Sequence, residues 1–239
     1  MKLLPHLYQV AGPGLSHTTD ATAYLLKGQQ GLYLIDCGTV EGYDRIVGNI
    51  RSLGFDPKEI RAIFATHGHY DHVGAAALFL RDFQIPLYLH RADAACVESG
   101  DPIKTTAGLL YGKVFPPCPV KASVEPGIVI EDPRFTLEAV HTPGHTPGGV
   151  CYIVRDAGMV TLIAGDTLHG GFSHQVGSDE SAWRQSLSEL CARHYDNYVF
   201  GHCPPTLLCD ADERLDCMRR SFGIYYSPWF KAFDQTYRY

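Results

Sequence analysis

Nothing in this chain constrains it as tightly as Thr66-His67-Gly68-His69-Tyr70-Asp71-His72-Val73-Gly74. Here His67, His69, Asp71 and His72 set four metal-ligating side chains within six positions. The run before it, Ile60 to Thr66, reads as a buried strand, and Val73 to Phe83 reads as an apolar helix that His72 opens. The ligating residues therefore fall on a strand-to-helix loop. Along a regular helix, positions i and i+2 look to different faces, so pairing His67 with His69 requires irregular backbone. Gly68, lacking a Cβ, supplies the dihedral freedom for that turn.

Composition narrows what such a loop can serve. At 239 residues the chain is long enough for one large domain or two small ones. A hydrophobic share of 45% and a charged share of 19% are those of a soluble globular protein. The formal net charge is −6 and Lys/Arg runs are absent, which argues against a nucleic-acid groove or an anionic membrane surface. The expected partner is a small-molecule substrate. Met-Lys-Leu-Leu-Pro-His does not read as a secretory leader, so none is expected, and no stretch approaches the ~18 apolar residues of a membrane span. Eight cysteines without C-x-x-C spacing suit free thiols, so the expected address is cytoplasmic.

Along the chain, Ala21–Leu26 and Leu32–Ile35 read as a hairpin that ends in Asp36-Cys37-Gly38, and Glu41–Leu53 reads as a helix. After the histidine loop come a strand at Pro86–Leu89 and a helix at Ala92–Val97. The pattern breaks over 98–126, where glycines and prolines mix with Leu109, Leu110, Tyr111, Val114 and Phe115. A stretch of that length and apolarity covers a site as a lid or pocket wall, or forms a subunit contact. Strands resume at Phe135–Val140, Val150–Arg155, Val160–Ala164 and Asn197–Phe200, with helices at Ser181–Ala192 and Asp210–Phe222. An aromatic tail from Tyr225 to Tyr239 fits packing or a homodimer contact. Strands feeding helices in both halves suggest two face-to-face sheets with helices outside.

Candidate ligands follow the C-terminal ends of five predicted strands: Asp36, the His67–His72 cluster, His145, Asp166 and His202. In layered α/β folds that edge is where ligands gather. Singly, each could be a turn acid or a loop histidine, but five in matching positions point to one shared centre.

This set resembles the metallo-β-lactamase superfamily, through H-x-H-x-D-H at His67 to His72 and the ordered partners Asp36, His145, Asp166 and His202. The resemblance implies a four-layer αββα sandwich of the metallo-β-lactamase type, as a single hydrolase domain over 1–239 with a variable lid or interface insertion at about 98–126. It also implies a two-metal site: His67, His69 and His145 on the first metal, Asp71, His72 and His202 on the second, Asp166 between them, and Asp36 behind as a supporting acid. Imidazole and carboxylate donors without thiolate suit Zn²⁺, with Fe or Mn tolerated. Two such ions ~3.5–4 Å apart can share a hydroxide nucleophile.

Within that superfamily, Ala164-Gly-Asp166 departs from the β-lactamases that place Cys at the later ligand position, while Gly165-Asp-Thr-Leu168 resembles glyoxalase II, lactonases and related ester or thioester hydrolases. The short region after His202, with Arg219-Arg220 on a predicted helix facing solvent, weakens a glutathione thioester. Related lactonases often carry Tyr three residues beyond the bridging Asp, where this chain has His169. The expected chemistry is di-zinc hydrolysis of an ester, lactone or thioester. Its catalytic residues would be Asp71, Asp166 and His169, the last as hydrogen-bond donor to the carbonyl or acid for the leaving group. His174 and Tyr70 are further rim candidates. The alternative is a mononuclear-iron persulfide dioxygenase, which would use a facial set of the type His67, His145 and Asp166.

Overall fold

The computed structural model describes residues 1–202 and 206–222, so the aromatic tail and Cys203 lie outside the described residues. Strands Leu7–Ala11 (β1), Ala23–Lys27 (β2) and Leu32–Ile35 (β3) lead to helix Tyr43–Ser52 (α1) and strand Ile60–Phe64 (β4). Short helix Tyr70–Val73 (α2), helix Ala76–Phe83 (α3), strand Leu87–Tyr88 (β5), helix Arg91–Ser99 (α4), helix Ala107–Tyr111 (α5) and strand Val120–Ala122 (β6) complete the first half. The second half runs Gly127–Asp132 (β7), Phe135–His141 (β8), Val150–Asp156 (β9), Met159–Ile163 (β10), helix Glu180–Cys191 (α6), Asn197–Val199 (β11) and helix Ala211–Ser221 (α7).

Two sheets result, one ordered β1-β2-β3-β4-β5-β6 and the other β11-β10-β9-β8-β7. Each buries both faces, and the period-2 alternation of strand side chains divides the core accordingly. Leu26, Ile35, Ala62 and Phe64 of the first sheet meet Leu137, Tyr152, Val154 and Ile163 of the second. On the opposite face of the first sheet, Leu25, Leu34 and Ile63 pack with Ile46 and Ile50 of α1 and Phe79 of α3. On the outer face of the second, Cys151, Ile153 and Leu162 pack with Trp183, Leu187 and Leu190 of α6. The layers are therefore helix, sheet, sheet, helix, as expected.

The predicted helix from Val73 is in fact two. His72 O accepts from Cys37 N and Gly38 N, at 2.7 and 3.0 Å, and Ala75 N donates to Gly38 O at 3.0 Å. Backbone groups that a continuous helix would use internally are spent on docking the loop after β3. Strands β1 and β7 are additional to the sequence expectation, and α5 and β6 lie inside the excursion over 98–126.

The sheets are tied together along one edge. Tyr152 Oη of β9 donates to Ala65 O at 2.7 Å, directly after β4. Val150 N donates to Thr66 O at 2.8 Å, and Thr22 N to Gly201 O at 2.7 Å. Tyr152 is fully buried. Replacing Tyr152 by Phe keeps the ring and removes the only hydroxyl, which should lower stability by about 1–3 kcal/mol, the usual cost of depriving a buried acceptor of its donor. A lower urea midpoint at unchanged m-value is the expected reading, and an unchanged midpoint would show the bond to be dispensable.

Candidate metal centre

That edge carries the side chains picked out from the sequence. Asp36 follows β3, residues 67–72 follow β4, His145 follows β8, Asp166 follows β10 and His202 follows β11. All of them converge. Nitrogen and carboxylate oxygen atoms of His67, His69 and His145 lie within 4.8 Å of one another, as do those of His67, His72 and Asp166, and those of Asp71, His72 and His202. Asp166 links the outer two groups: its Oδ2 is 3.5 Å from His145 Nε2 and 3.2 Å from His202 Nε2, and its Oδ1 is 3.2 Å from His72 Nε2. Asp71 Oδ2 is 3.3 Å from His202 Nε2. All but His202 are buried, and His202 stands at the solvent-facing lip.

The rings are aimed by the groups behind them. Asp36 accepts from His72 Nδ1 at 2.7 Å, and from Thr66 N and Thr66 Oγ1 at 2.7 and 2.8 Å. Gly171 O lies 2.7 Å from His145 Nδ1. A proton held on Nδ1 by such a partner leaves Nε2 with its lone pair toward the site, the usual device for orienting a ligating imidazole. Asp36 thus lies behind His72 and outside the three ligand groups.

Electrostatics split the cluster. Burial, reinforced by neighbouring imidazoles, pushes the pKa of His67 and His69 well below the usual range, and burial also lowers that of His145. Burial works against charge on His72 and His202 too, but Asp166 with Asp36 or Asp71 outweighs it and raises both. Those two imidazoles in turn overcome the burial of Asp166 and hold its carboxyl well below the carboxylate range.

The donor set fits metal ions. Among the described residues His67 Nε2 is buried without a hydrogen-bond partner. His69 Nδ1 and His145 Nε2 face each other at 3.0 Å, and His72 Nε2 and Asp166 Oδ1 at 3.2 Å, so the inward-facing donor atoms are crowded together with no other polar group between them. Buried polar atoms normally have better partners, and such a crowd is the signature of a site built for an ion. Neutral imidazoles with carboxylates, and no thiolate among them, suit a borderline or hard divalent cation.

A cleft of about 160 Å³ opens onto these groups. His169 lines it, its ring stacked on Phe200 at 3.8 Å, and burial pushes its pKa down to about 4. Thr106, Leu110 and Tyr111 form the facing wall. The Tyr111 hydroxyl bonds Asp71, and its ring lies 5.4 Å from that of Tyr70. Thr105 O accepts from Tyr70 N at 2.7 Å, and Lys113 pairs with Glu41 at 2.8 Å. The excursion is thus fastened to the histidine loop. From the sequence, Tyr111 stands out only as one apolar residue of the excursion and Thr106 not at all, since an apolar, glycine-rich stretch gives no signal for a bond to Asp71. The two further rim candidates lie elsewhere. Tyr70 is buried behind the loop with its hydroxyl on Glu41, and His174 is exposed beside Phe172.

Comparison with known proteins agrees with this geometry. The sequence profile of the metallo-beta-lactamase superfamily matches residues 18–202. The chain is 32% identical over 200 residues to the probable metallo-hydrolase YqgX of Bacillus subtilis, covering 81% of this chain and 90% of that one. It is 28% identical over 152 residues to a hydroxyacylglutathione hydrolase of Hahella chejuensis, covering 63% of this chain and 51% of that one. Among solved structures, a motif-mutated metallo-beta-lactamase from Cronobacter sakazakii superposes with a TM-score of 0.73 at 26% identity, over 84% of this chain and 79% of that one. With a profile match across most of its length, the same layered fold and a buried His/Asp cluster at the shared sheet edge, the chain belongs to the metallo-beta-lactamase superfamily.

Proposed function

We propose that this protein is a binuclear metallohydrolase acting on a small-molecule ester, lactone or thioester, with Zn²⁺ as its metal. In this reading His67, His69 and His145 hold one ion, Asp71, His72 and His202 hold the other, and Asp166 stands between them. When bound, two such ions supply Lewis acidity, polarising a carbonyl and making water a usable nucleophile at neutral pH. The observation that carries the reading is the completeness of both ligand groups around one carboxylate. The group containing Asp71 and His202 has no task in a mononuclear dioxygenase, so its presence supports the hydrolase over that alternative.

The chain's own residues supply orientation and selectivity. Asp36 and Gly171 O hold His72 and His145 in the tautomers that face the site. His169, kept neutral by burial, suits a hydrogen-bond donor to a developing oxyanion rather than a proton source. Leu110, half exposed in the cleft wall, supports a substrate with an apolar acyl or ring substituent. Seven cysteines among the described residues are free, which supports a reducing, cytoplasmic setting.

The zinc-loaded protein should be assayed against acyl-homoserine lactones, aryl esters, glutathione thioesters and a β-lactam, with metal content measured on the same sample. The expected result is hydrolysis of one of the first three classes by a sample with two zinc ions per chain, lost on chelation. One iron per chain with oxygen uptake would overturn it. Replacing His169 by Phe should lower kcat by about 100-fold, the scale of one lost oxyanion donor, with metal content unchanged. An unaltered rate would remove His169 from the chemistry.

A further inference from the structure

Asp93, in the first turn of α4, is a carboxylate only 4% exposed, and it neither lines the cleft nor joins a ligand group. Three donors converge on it: Gly68 N at 3.1 Å, Thr146 Oγ1 at 2.7 Å and Gly148 N at 2.8 Å. Gly68 sits between His67 and His69, and Thr146 directly follows His145. One buried side chain therefore spans the two loops that deliver these three imidazoles, one loop from each sheet.

The chemistry of the contact is specific. An ionised carboxylate is acceptor-only and meets two amide N–H groups and a hydroxyl with no donor of its own. An Asn in its place would turn its NH₂ toward one of the two amides. Space is equally restrictive, since a Cβ on Gly148 would come within 2.6 Å of the Asp93 carboxyl carbon. The anchor is firm at its other end: Val97, one turn along α4, is fully buried in the core beside the first sheet.

We propose that Asp93 is a positioning residue for the first metal. Through Gly68 on one side and Thr146 and Gly148 on the other, it sets the separation between the His67/His69 pair and His145, and with it the affinity of that group of three. Asp36 holds His72 by a direct bond to its ring. The two carboxylates thus act differently: Asp36 bears on His72 directly and, through Thr66, on His67, whereas Asp93 bears on the spacing of the three imidazoles. This inference rests on the binuclear reading above, and its test is designed so that the two can fail independently.

Zinc and Co²⁺ are titrated into metal-free wild type, Asp93→Asn, Thr146→Val and Asp36→Asn against a chromophoric chelator. The Co²⁺ absorption spectrum reports whether the three-imidazole group or the carboxylate-containing group is filled. The wild type should take two ions. Asp93→Asn should weaken the three-imidazole group by about 10–100-fold, the scale seen when a partner behind a ligand is lost, and leave the other group at wild-type affinity. Thr146→Val should shift the same group in the same direction by less, and Asp36→Asn should weaken the carboxylate-containing group by more than the three-imidazole group. Equal weakening of both groups in Asp93→Asn, with a lowered Tm, would make Asp93 a general structural residue and overturn the proposal. Wild-type affinity at both groups would overturn it too. If Asp93→Asn does not fold, Thr146→Val decides alone, and an unshifted three-imidazole group there refutes it. A wild type that takes fewer than two ions refutes the binuclear reading itself, and is recognised without any variant.

Discussion

Crowding imidazoles and carboxylates out of water at one edge of a sandwich is unfavourable, and the structure is organised around making it tolerable. The effective desolvation penalty is several kcal/mol for each buried ion. Here Asp166 is surrounded by His72, His145 and His202, with His67 and His69 close behind. Charge is distributed unevenly as a result. His67, His69 and His145 are driven toward the neutral form by burial and by neighbouring imidazoles, whereas His72 and His202, each facing at least two carboxylates, are driven toward the charged form. Among the described residues His67 Nε2 is left buried without a partner even so. A cluster that hydrogen bonding alone does not satisfy is one that cations complete, which is why the metal reading follows from the energetics as well as from the family.

The scaffold makes the convergence possible by tying two sheets at the edge where their strands end. Tyr152 reaches Ala65, Val150 reaches Thr66, and Thr22 reaches Gly201 and Phe200. These bonds place the loops after β4, β8 and β11 side by side. Buried carboxylates then fix the loops themselves, Asp36 at His72 and Asp93 between the loops of His67 and His145. The facing wall of the cleft comes from a separate layer. The excursion that supplies Leu110 and Tyr111 is bound to the histidine loop through Tyr70 and Glu41, so the cleft wall and the ligand loop are one packed unit.

Much of this was legible in the sequence because the site is built from short-range pattern. The H-x-H-x-D-H spacing, and an acid or histidine after five of the predicted strands, point to Asp36, His145, Asp166 and His202 without any knowledge of the fold. The sandwich followed from strands feeding helices twice. What was illegible depends on partners distant in the chain. Strand β1 carries a fully buried Gln9, which breaks the polar alternation, and β7 is an edge strand with Ile128 65% exposed, which inverts it. The break between α2 and α3 arises from Gly38 taking over the backbone bonds, a contact no local propensity encodes. Tyr111 and Asp93 acquire their meaning only through residues far from them in sequence, so no motif announces either.

Anomalous diffraction at the zinc edge from crystals of the loaded protein tests the central claim most directly. Two peaks about 3.5–4 Å apart, one within His67, His69 and His145, the other within Asp71, His72 and His202, and both touching Asp166, are the predicted result. A single peak, or peaks away from these residues, would contradict it.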